Sequence, residues 1–319
     1  MAERILITGA NGQLGTVLAD ALIEKYGWEN VFATDIRIPE INRHAISILD
    51  VLDSQKLEEF VFDKQITQIY HLAAILSAKG EQEPLKTWDI NMQAWLNVLE
   101  TSRKLNVRKV FYPSSIAVFG DSAPKNPCTQ TAQTEPTTVY GISKVAGENW
   151  AQYYHKRYGL DVRSLRYPGV ISYQSMPGGG TTDYAVEIYH AAVKGQVFEC
   201  FLEENTTLPM IYIDDAIRAT LELMDAPTEN IKIRTSYNLA GVSFDPSEIY
   251  ERIKAIYPEF QIRFKPDFRQ KIAESWPQVM DDSTAKADWN WMPEYDLNKM
   301  TSVMIEHLKV MLGKEKSVI

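Results

Sequence analysis

The stretch that most constrains this chain is its start, MAERILITGANGQLG, where the apolar run Ile5-Leu6-Ile7 passes directly into Gly9, Gly12 and Gly15. A short apolar run that ends in glycines reads as a buried parallel strand turning sharply into a helix. Each glycine suits that geometry: Gly9 permits the tight turn, Gly12 lets the backbone approach a pyrophosphate, and Gly15 lets the helix lie close on the sheet. Asn11, Gln13 and Leu14 complete the turn. The helix start then offers unpaired N–H groups and the positive end of its dipole to phosphates. The spacing is Gly-x-x-Gly-x-x-Gly rather than Gly-x-Gly-x-x-Gly, and a turn of this kind can also be a plain connector. The rest of the chain decides between the two.

A second strand, Val31 to Thr34, ends at Asp35, twenty residues after Gly15. A carboxylate in that place accepts hydrogen bonds from the adenosine ribose hydroxyls and repels a 2′-phosphate, which favours NAD over NADP. Arg37 is the nearby group able to accommodate that phosphate. A strand over 45–49 ends at Asp50, so that Asp50 and Val51 lie against the adenine. Asp53 caps the helix that follows, which runs to about Asp63. The strand 68–74 ends in Leu72-Ala73-Ala74, whose small residues leave room for a ribose or nicotinamide; His71 within it reads as structural. A loop with Ser77, Lys79 and Gly80 leads to one long helix over 85–105, in which Asn91 is a polar residue that is either solvated or ties the helix to the backbone near the site. The fifth strand, Val110-Phe111-Tyr112, ends in Pro113-Ser114-Ser115. After a Gly/Asp/Pro/Thr-rich loop over 120–138 comes a helix from Val139, then a strand over 162–166 leading to Tyr167-Pro168-Gly169. Strand and helix alternate throughout, so the expected class is α/β: a doubly wound parallel Rossmann sheet over residues 1–168. Past Pro168 the pattern loosens. Residues 169–319 are expected to form mainly a smaller mixed α/β C-terminal lobe, with some segments returning to the first domain.

A net charge of −9 argues against non-specific nucleic-acid binding. No stretch approaches the roughly 18 apolar residues of a membrane span. No secretory or transit segment precedes the first strand, and there are two cysteines, Cys128 and Cys200. A cytoplasmic protein without a disulfide framework is expected. The five histidines are scattered, so no metal is expected.

Tyr140 and Lys144 carry the chemistry. Four residues apart on a helix, they share a face. A phenol titrates near 10, and an ammonium one turn away favours the phenolate, bringing the tyrosine within reach of general-base work. A bound nicotinamide's positive charge adds to this. A serine hydroxyl that holds the substrate oxygen completes the set; Ser115 at the strand end is placed for it, with Ser114 the neighbouring alternative.

These motifs resemble the extended short-chain dehydrogenase/reductase superfamily over nearly the whole chain: Gly9 to Gly15, His71-Leu72-Ala73-Ala74, Ser115-Ile116-Ala117-Val118-Phe119-Gly120, Tyr140-Gly141-Ile142-Ser143-Lys144 and Arg166-Tyr167-Pro168-Gly169. The resemblance implies Ser115, Tyr140 and Lys144 as the catalytic set, and Tyr167 on the nicotinamide side. Within the superfamily, Leu76 to Glu81, Pro177 to Val186 and Ser275-Trp276-Pro277 are similar to the short-chain type of L-threonine 3-dehydrogenase. That similarity implies oxidation of the 3-hydroxyl of L-threonine by NAD to 2-amino-3-oxobutyrate. Gly180, Thr181 and Thr182 then suit the substrate carboxylate, with Asp183 as a cap or ammonium partner, Ser77 as a further hydrogen-bonding group and Trp276 covering the site. The superfamily's habit implies a homodimer through the two long helices, where Trp88, Met92, Trp95, Trp150, Tyr153 and Tyr154 supply apolar surface, and the product implies a downstream acyltransferase. The rival expectations are a sugar-nucleotide epimerase or reductase on the same fold and, from another class, a non-catalytic NAD-sensing regulator. Such an epimerase needs cationic partners for a diphosphate.

Overall fold

The apolar run becomes β1 (Ile5–Thr8), and the glycine turn feeds α1 (Gln13–Tyr26). The computed structural model describes residues 3–38, 45–174 and 178–316; Pro177 of the similar segment lies outside them. The first part of the chain continues as β2 (Val31–Asp35), β3 (Ile46–Ile48), α2 (Ser54–Asp63), β4 (Gln68–His71), α3 (Ser77–Gly80), α4 (Pro84–Lys104), β5 (Lys109–Ser115), α5 (Val139–Tyr158) and β6 (Asp161–Tyr167). There follow β7 (Gly169–Ile171), α6 (Tyr184–Val193), β8 (Phe198–Cys200), β9 (Leu208–Tyr212), α7 (Ile213–Asp225) and β10 (Tyr237–Asn238). The chain ends with β11 (Val242–Phe244), α8 (Pro246–Lys254), β12 (Ile262–Phe264), α9 (Arg269–Ser275), α10 (Ser283–Trp289) and α11 (Leu297–Lys316).

The main sheet has seven strands in the order β10-β6-β5-β4-β1-β2-β3, every neighbouring pair parallel. This is the doubly wound α/β sheet expected from the alternation. Its order reverses between β1 and β4, and in such sheets the crevice outside the carboxyl ends of the strands at that switch point takes the ligand. The turn at Gly9, the segment after β4, Ser115 and Tyr167 all lie at those ends.

Side chains alternate across β1. Ile5 and Ile7 join a core shared with α1, α7 and the later part of the chain, whereas Leu6 packs on the other face with Leu57 and Val61 of α2, Val98 and Leu99 of α4 and Ala151 of α5. Asp53 caps α2 through the Lys56 amide and Thr138 caps α5 through that of Gly141. Helix α5 closes at Gly159 in the left-handed conformation.

The later part holds two small sheets, β11-β9-β7 and β12-β8. It was not wholly legible: β7, β11 and β12 have three residues each and α9 and α10 seven, too few to display a period. Strand β4 stops at His71 rather than running to Ala74, and the loop before Pro84 contains α3. Tyr237–Asn238 leaves the small sheets to pair with Leu165 and Arg166 at the edge of the main one.

Candidate active site

The cofactor end is built from backbone. Gly9 has φ +73°, and a Cβ there would lie 2.6 Å from the Ala73 nitrogen, so the turn packs directly on the segment after β4. A Cβ on Gly15 would lie 2.5 Å from the Gly9 carbonyl oxygen. The first intrahelical bond of α1 runs from the Thr16 amide to Gly12 O (3.0 Å), leaving the amides of Gln13, Leu14 and Gly15 at an open helix start. Gly9, Gly12, Gln13, Leu14 and Gly15 line a cavity of about 240 Å³. This side-chain-free cradle fits a dinucleotide pyrophosphate, which would sit on the α1 amides. Asp35, at the end of β2, accepts from the Asn11 amide (3.0 Å) and from the Ile36 amide (2.8 Å), one per oxygen. Each oxygen keeps a lone pair for a ribose hydroxyl. The Asn11 side chain donates to the Arg37 carbonyl (2.7 Å), binding the turn to the segment after β2, and the Arg37 side chain is exposed.

Asp50 is exposed and accepts from the Leu52 amide, while Val51 is buried with its carbonyl taken by Asn97. Gln13 donates to Val170 O and Ser172 Oγ, tying α1 to β7. Asn91 holds the backbone of Ile75 by both ends of its amide (2.8 and 3.1 Å) and stands outside the cavity lining. Of its two expected roles it takes the structural one. Leu72, Ala74 and Tyr167 line the cavity; Ala73 supports Gly9 from beneath. His71 is buried, hydrogen-bonded to Thr8 Oγ1 (2.9 Å) and stacked on Trp95, and burial pushes its ring down to about 3. It is a neutral structural group.

Ser115, Tyr140 and Lys144 converge on this cavity. Ser115 stands beside Tyr140 and works to lower its titration, whereas the Ser114 hydroxyl is turned to Glu148 (2.6 Å). Lys144 is buried, donates to Pro113 O (2.6 Å), and lies 5.3 Å from the Tyr140 ring centre and 4.7 Å from that of Tyr112. Burial governs both titrations. It pushes Tyr140 up to about 12 against the Ser115 bond, and Lys144 down to about 7 against the Glu148 charge. The expected lowering of the tyrosine by the lysine is therefore absent from this protein-only site, because both groups lose more hydration than either gains from the other.

The roof comes from elsewhere in the sequence. Ser77 and Leu76 lie at the start of α3; Gly180, Thr181, Thr182 and Asp183 lie before α6; Trp276 follows α9. All line the same cavity. Asp183 accepts from the amides of Gly179 (2.9 Å) and Gly180 (2.6 Å), so it serves as the clasp of its own loop. Thr181 Oγ1 and Trp276 Nε1 are buried without a hydrogen-bond partner among the described residues. Thr101 Oγ1, Tyr184 OH, Tyr212 OH and Trp289 Nε1 share that state away from the cavity; what sets Thr181 and Trp276 apart is that they line it. Lys144 is the sole Lys or Arg among the described lining residues.

Glu148 and the carbonyl of Pro113 escaped the sequence reading. The signal for Glu148 was present: it follows Lys144 by four residues and so shares its helix face.

Among the described residues, no helix is long and apolar enough to cross a membrane, and no group of three or more His, Cys, Asp and Glu side chains is placed to hold a metal ion.

The chain has clear likenesses. A partial consensus L-threonine 3-dehydrogenase is 51% identical, with a TM-score of 0.95 over 96% of this chain and 99% of its own. The holo form of a GalE-like L-threonine dehydrogenase from Cupriavidus necator is also 51% identical, with a TM-score of 0.94 over 96% of this chain and all of its own. An uncharacterized epimerase/dehydratase of Staphylococcus aureus strain USA300 is 46% identical over 312 residues, 96% of this chain and 97% of its own. The family model described as NAD dependent epimerase/dehydratase matches residues 5–240, from β1 through β10. With its glycine turn, the carboxylate at the end of β2 and Ser115, Tyr140 and Lys144 on one cavity, this chain belongs to the NAD dependent epimerase/dehydratase family, within the extended short-chain dehydrogenases/reductases, and its cofactor is NAD.

Proposed function

We propose that the protein oxidises the 3-hydroxyl of L-threonine to 2-amino-3-oxobutyrate with NAD. The observation that carries this reading is the pairing, in one small cavity, of the Ser115-Tyr140-Lys144 set with two unpartnered buried groups, Thr181 Oγ1 and Trp276 Nε1. The likeness to L-threonine dehydrogenases at 51% identity points the same way.

In this reading Ser115 holds the substrate oxygen and Tyr140 takes the hydroxyl proton. Lys144 supplies the positive charge that favours the phenolate, and its contact with Pro113 fixes where that charge sits. NAD, when bound, accepts the hydride from the same carbon. Thr181, Thr182 and the Gly180 backbone bind the carboxylate, Ser77 adds a hydrogen bond, and Trp276 excludes water. Residues 1–168 serve as the cofactor domain and 169–319 mainly as the substrate lobe. We place the enzyme in the cytoplasm as a homodimer whose product passes to an acyltransferase. Trp88, Trp150 and Tyr153 are exposed on α4 and α5 and supply the dimer surface. Met92, Trp95 and Tyr154 are buried and cannot.

The epimerase alternative lacks support at the cavity, since a nucleoside diphosphate calls for cations beyond Lys144. The test is NADH formation with L-threonine, beside L-serine, L-allo-threonine, D-threonine and UDP-galactose. Threonine-dependent reduction of NAD, weak with NADP, is expected. Silence with every amino acid from protein that binds NAD would overturn the assignment.

A further inference from the structure

Glu148 is a buried carboxylate that no step above uses. It lies between β5 and β6, one turn beyond Lys144 on α5. Its Oε1 accepts from Ser114 Oγ (2.6 Å) and Arg166 Nε (2.9 Å), and its Oε2 from Arg166 Nη2 (2.8 Å). Both side chains are about 5% exposed or less. Arg166 in turn donates to Asn238 Oδ1 (3.0 Å) on β10, and the Asn238 amide donates to Cys128 O (3.2 Å) and Asp281 O (3.3 Å). The carboxylate is thus fixed from three sides: by the residue before Ser115, by β6, and through β10 by the segment that follows Trp276.

A buried ion pair is a poor source of stability, because desolvation cancels much of the attraction. Its placement says more. Among the described residues Lys144 makes one hydrogen bond, to a neutral carbonyl. Across the sheet His71 is neutral, and the ring faces of Tyr112 and Tyr140 attract the ammonium through their π-systems without carrying a charge. On the α3 side Glu81 is occupied in capping the Val139 amide (2.8 Å) at the far end of the helix start. Arg166 stands behind the carboxylate, bound to it. Among the charged groups facing this buried lysine, Glu148 is the one that favours its charged form.

We infer that Glu148 is a positioning residue of the site: held by Ser114 and Arg166, its carboxylate keeps Lys144 charged, and with it the capacity of Tyr140 to act as base. The inference takes the dehydrogenase chemistry proposed above, but its first test needs no substrate.

The titration of Lys144 is followed by NMR in the NAD complex of protein labelled with carbon-13 at lysine Cε, with Lys144→Ala identifying the resonance. Glu148→Gln keeps the shape and removes the charge. The Lys144 midpoint is expected to fall by about one pH unit or more. The acid limb of threonine oxidation moves to higher pH, since a neutral lysine no longer favours the phenolate, and kcat falls more than KM rises. Glu148→Asp restores the charge and returns the midpoint toward that of the unaltered protein. Glu148→Gln strands Arg166, so the double variant Glu148→Gln/Arg166→Gln repeats the measurement without a lone buried cation, with NAD binding as the check on folding. A Lys144 midpoint that stays in place in both variants overturns the inference. A shifted midpoint in a protein that never oxidises threonine upholds it and sinks the threonine assignment instead.

Discussion

The floor and the roof of the cavity are made differently. Ser115, Tyr140 and Lys144 sit on β5 and α5, regular elements whose polar groups already have partners within the protein. Thr181 and Trp276 sit on connecting segments, and each carries a buried polar atom with no partner among the described residues. The floor finds its partners within the protein, whereas in the proposed function the roof finds them in the substrate. Preorganised groups that act on developing charge govern the chemical step, and groups satisfied only by the ligand govern binding. Variants of the two regions should therefore separate in kcat and KM.

The largest effect falls on the floor. Tyr140→Phe removes the base and should lower turnover by roughly 10²–10⁴-fold while NAD still binds, read by steady-state rates beside a NAD titration. Retained turnover would move the base elsewhere. Next is the cofactor edge: Asp35→Asn loses charge-assisted bonds of ~1.5–3 kcal/mol, so NAD affinity should fall with little change in kcat at saturation. On the roof, Thr181→Val deletes a hydroxyl that the proposed function assigns to the substrate carboxylate. KM for threonine should rise by about fivefold to tenfold, from a bond of ~1 kcal/mol, and the unliganded protein should lose no stability. A collapse of kcat instead would place Thr181 with the floor.

The smallest effect turns the comparison round. Burial holds Lys144 at about 7, below the value near 10.4 of a free lysine. Between those values the unfolded chain binds more protons than the folded one, so this group makes stability rise with pH across that window. It costs the folded state most at and below pH 7. Lys144→Met should raise the stability of the unliganded protein by about 0.5–2 kcal/mol, with a flatter dependence on pH between about 7 and 10 in denaturant titrations. A destabilised variant would mean that the bond to Pro113 outweighs the cost of burial.

The floor was also the legible part. An apolar run into spaced glycines, an acid twenty residues on and Tyr-x-x-x-Lys on a helix are local patterns on elements long enough to show a period. Asp53 announced its helix by capping, whereas the cap at Thr138 was seen only in the structure. Asn91 and Ser114 were ambiguous because a polar side chain's partner lies on another element. The structure gave Asn91 to Ile75 and Ser114 to Glu148.

What the sequence determined by itself is the alternation of strands and helices through β6, the glycine cradle and the Tyr-x-x-x-Lys spacing, since each depends on neighbours within a few residues. Tertiary structure alone decided the sign of the electrostatics. Spacing says that Lys144 and Tyr140 share a face, but whether the lysine lowers the tyrosine depends on how much water each loses, and that is set by β4, β5 and Glu148 packed around them. It also decided the roof. Residues 76–77, 180–183 and 276 are scattered along the chain and meet only because β7, α6 and α9 fold back over the ends of the main sheet.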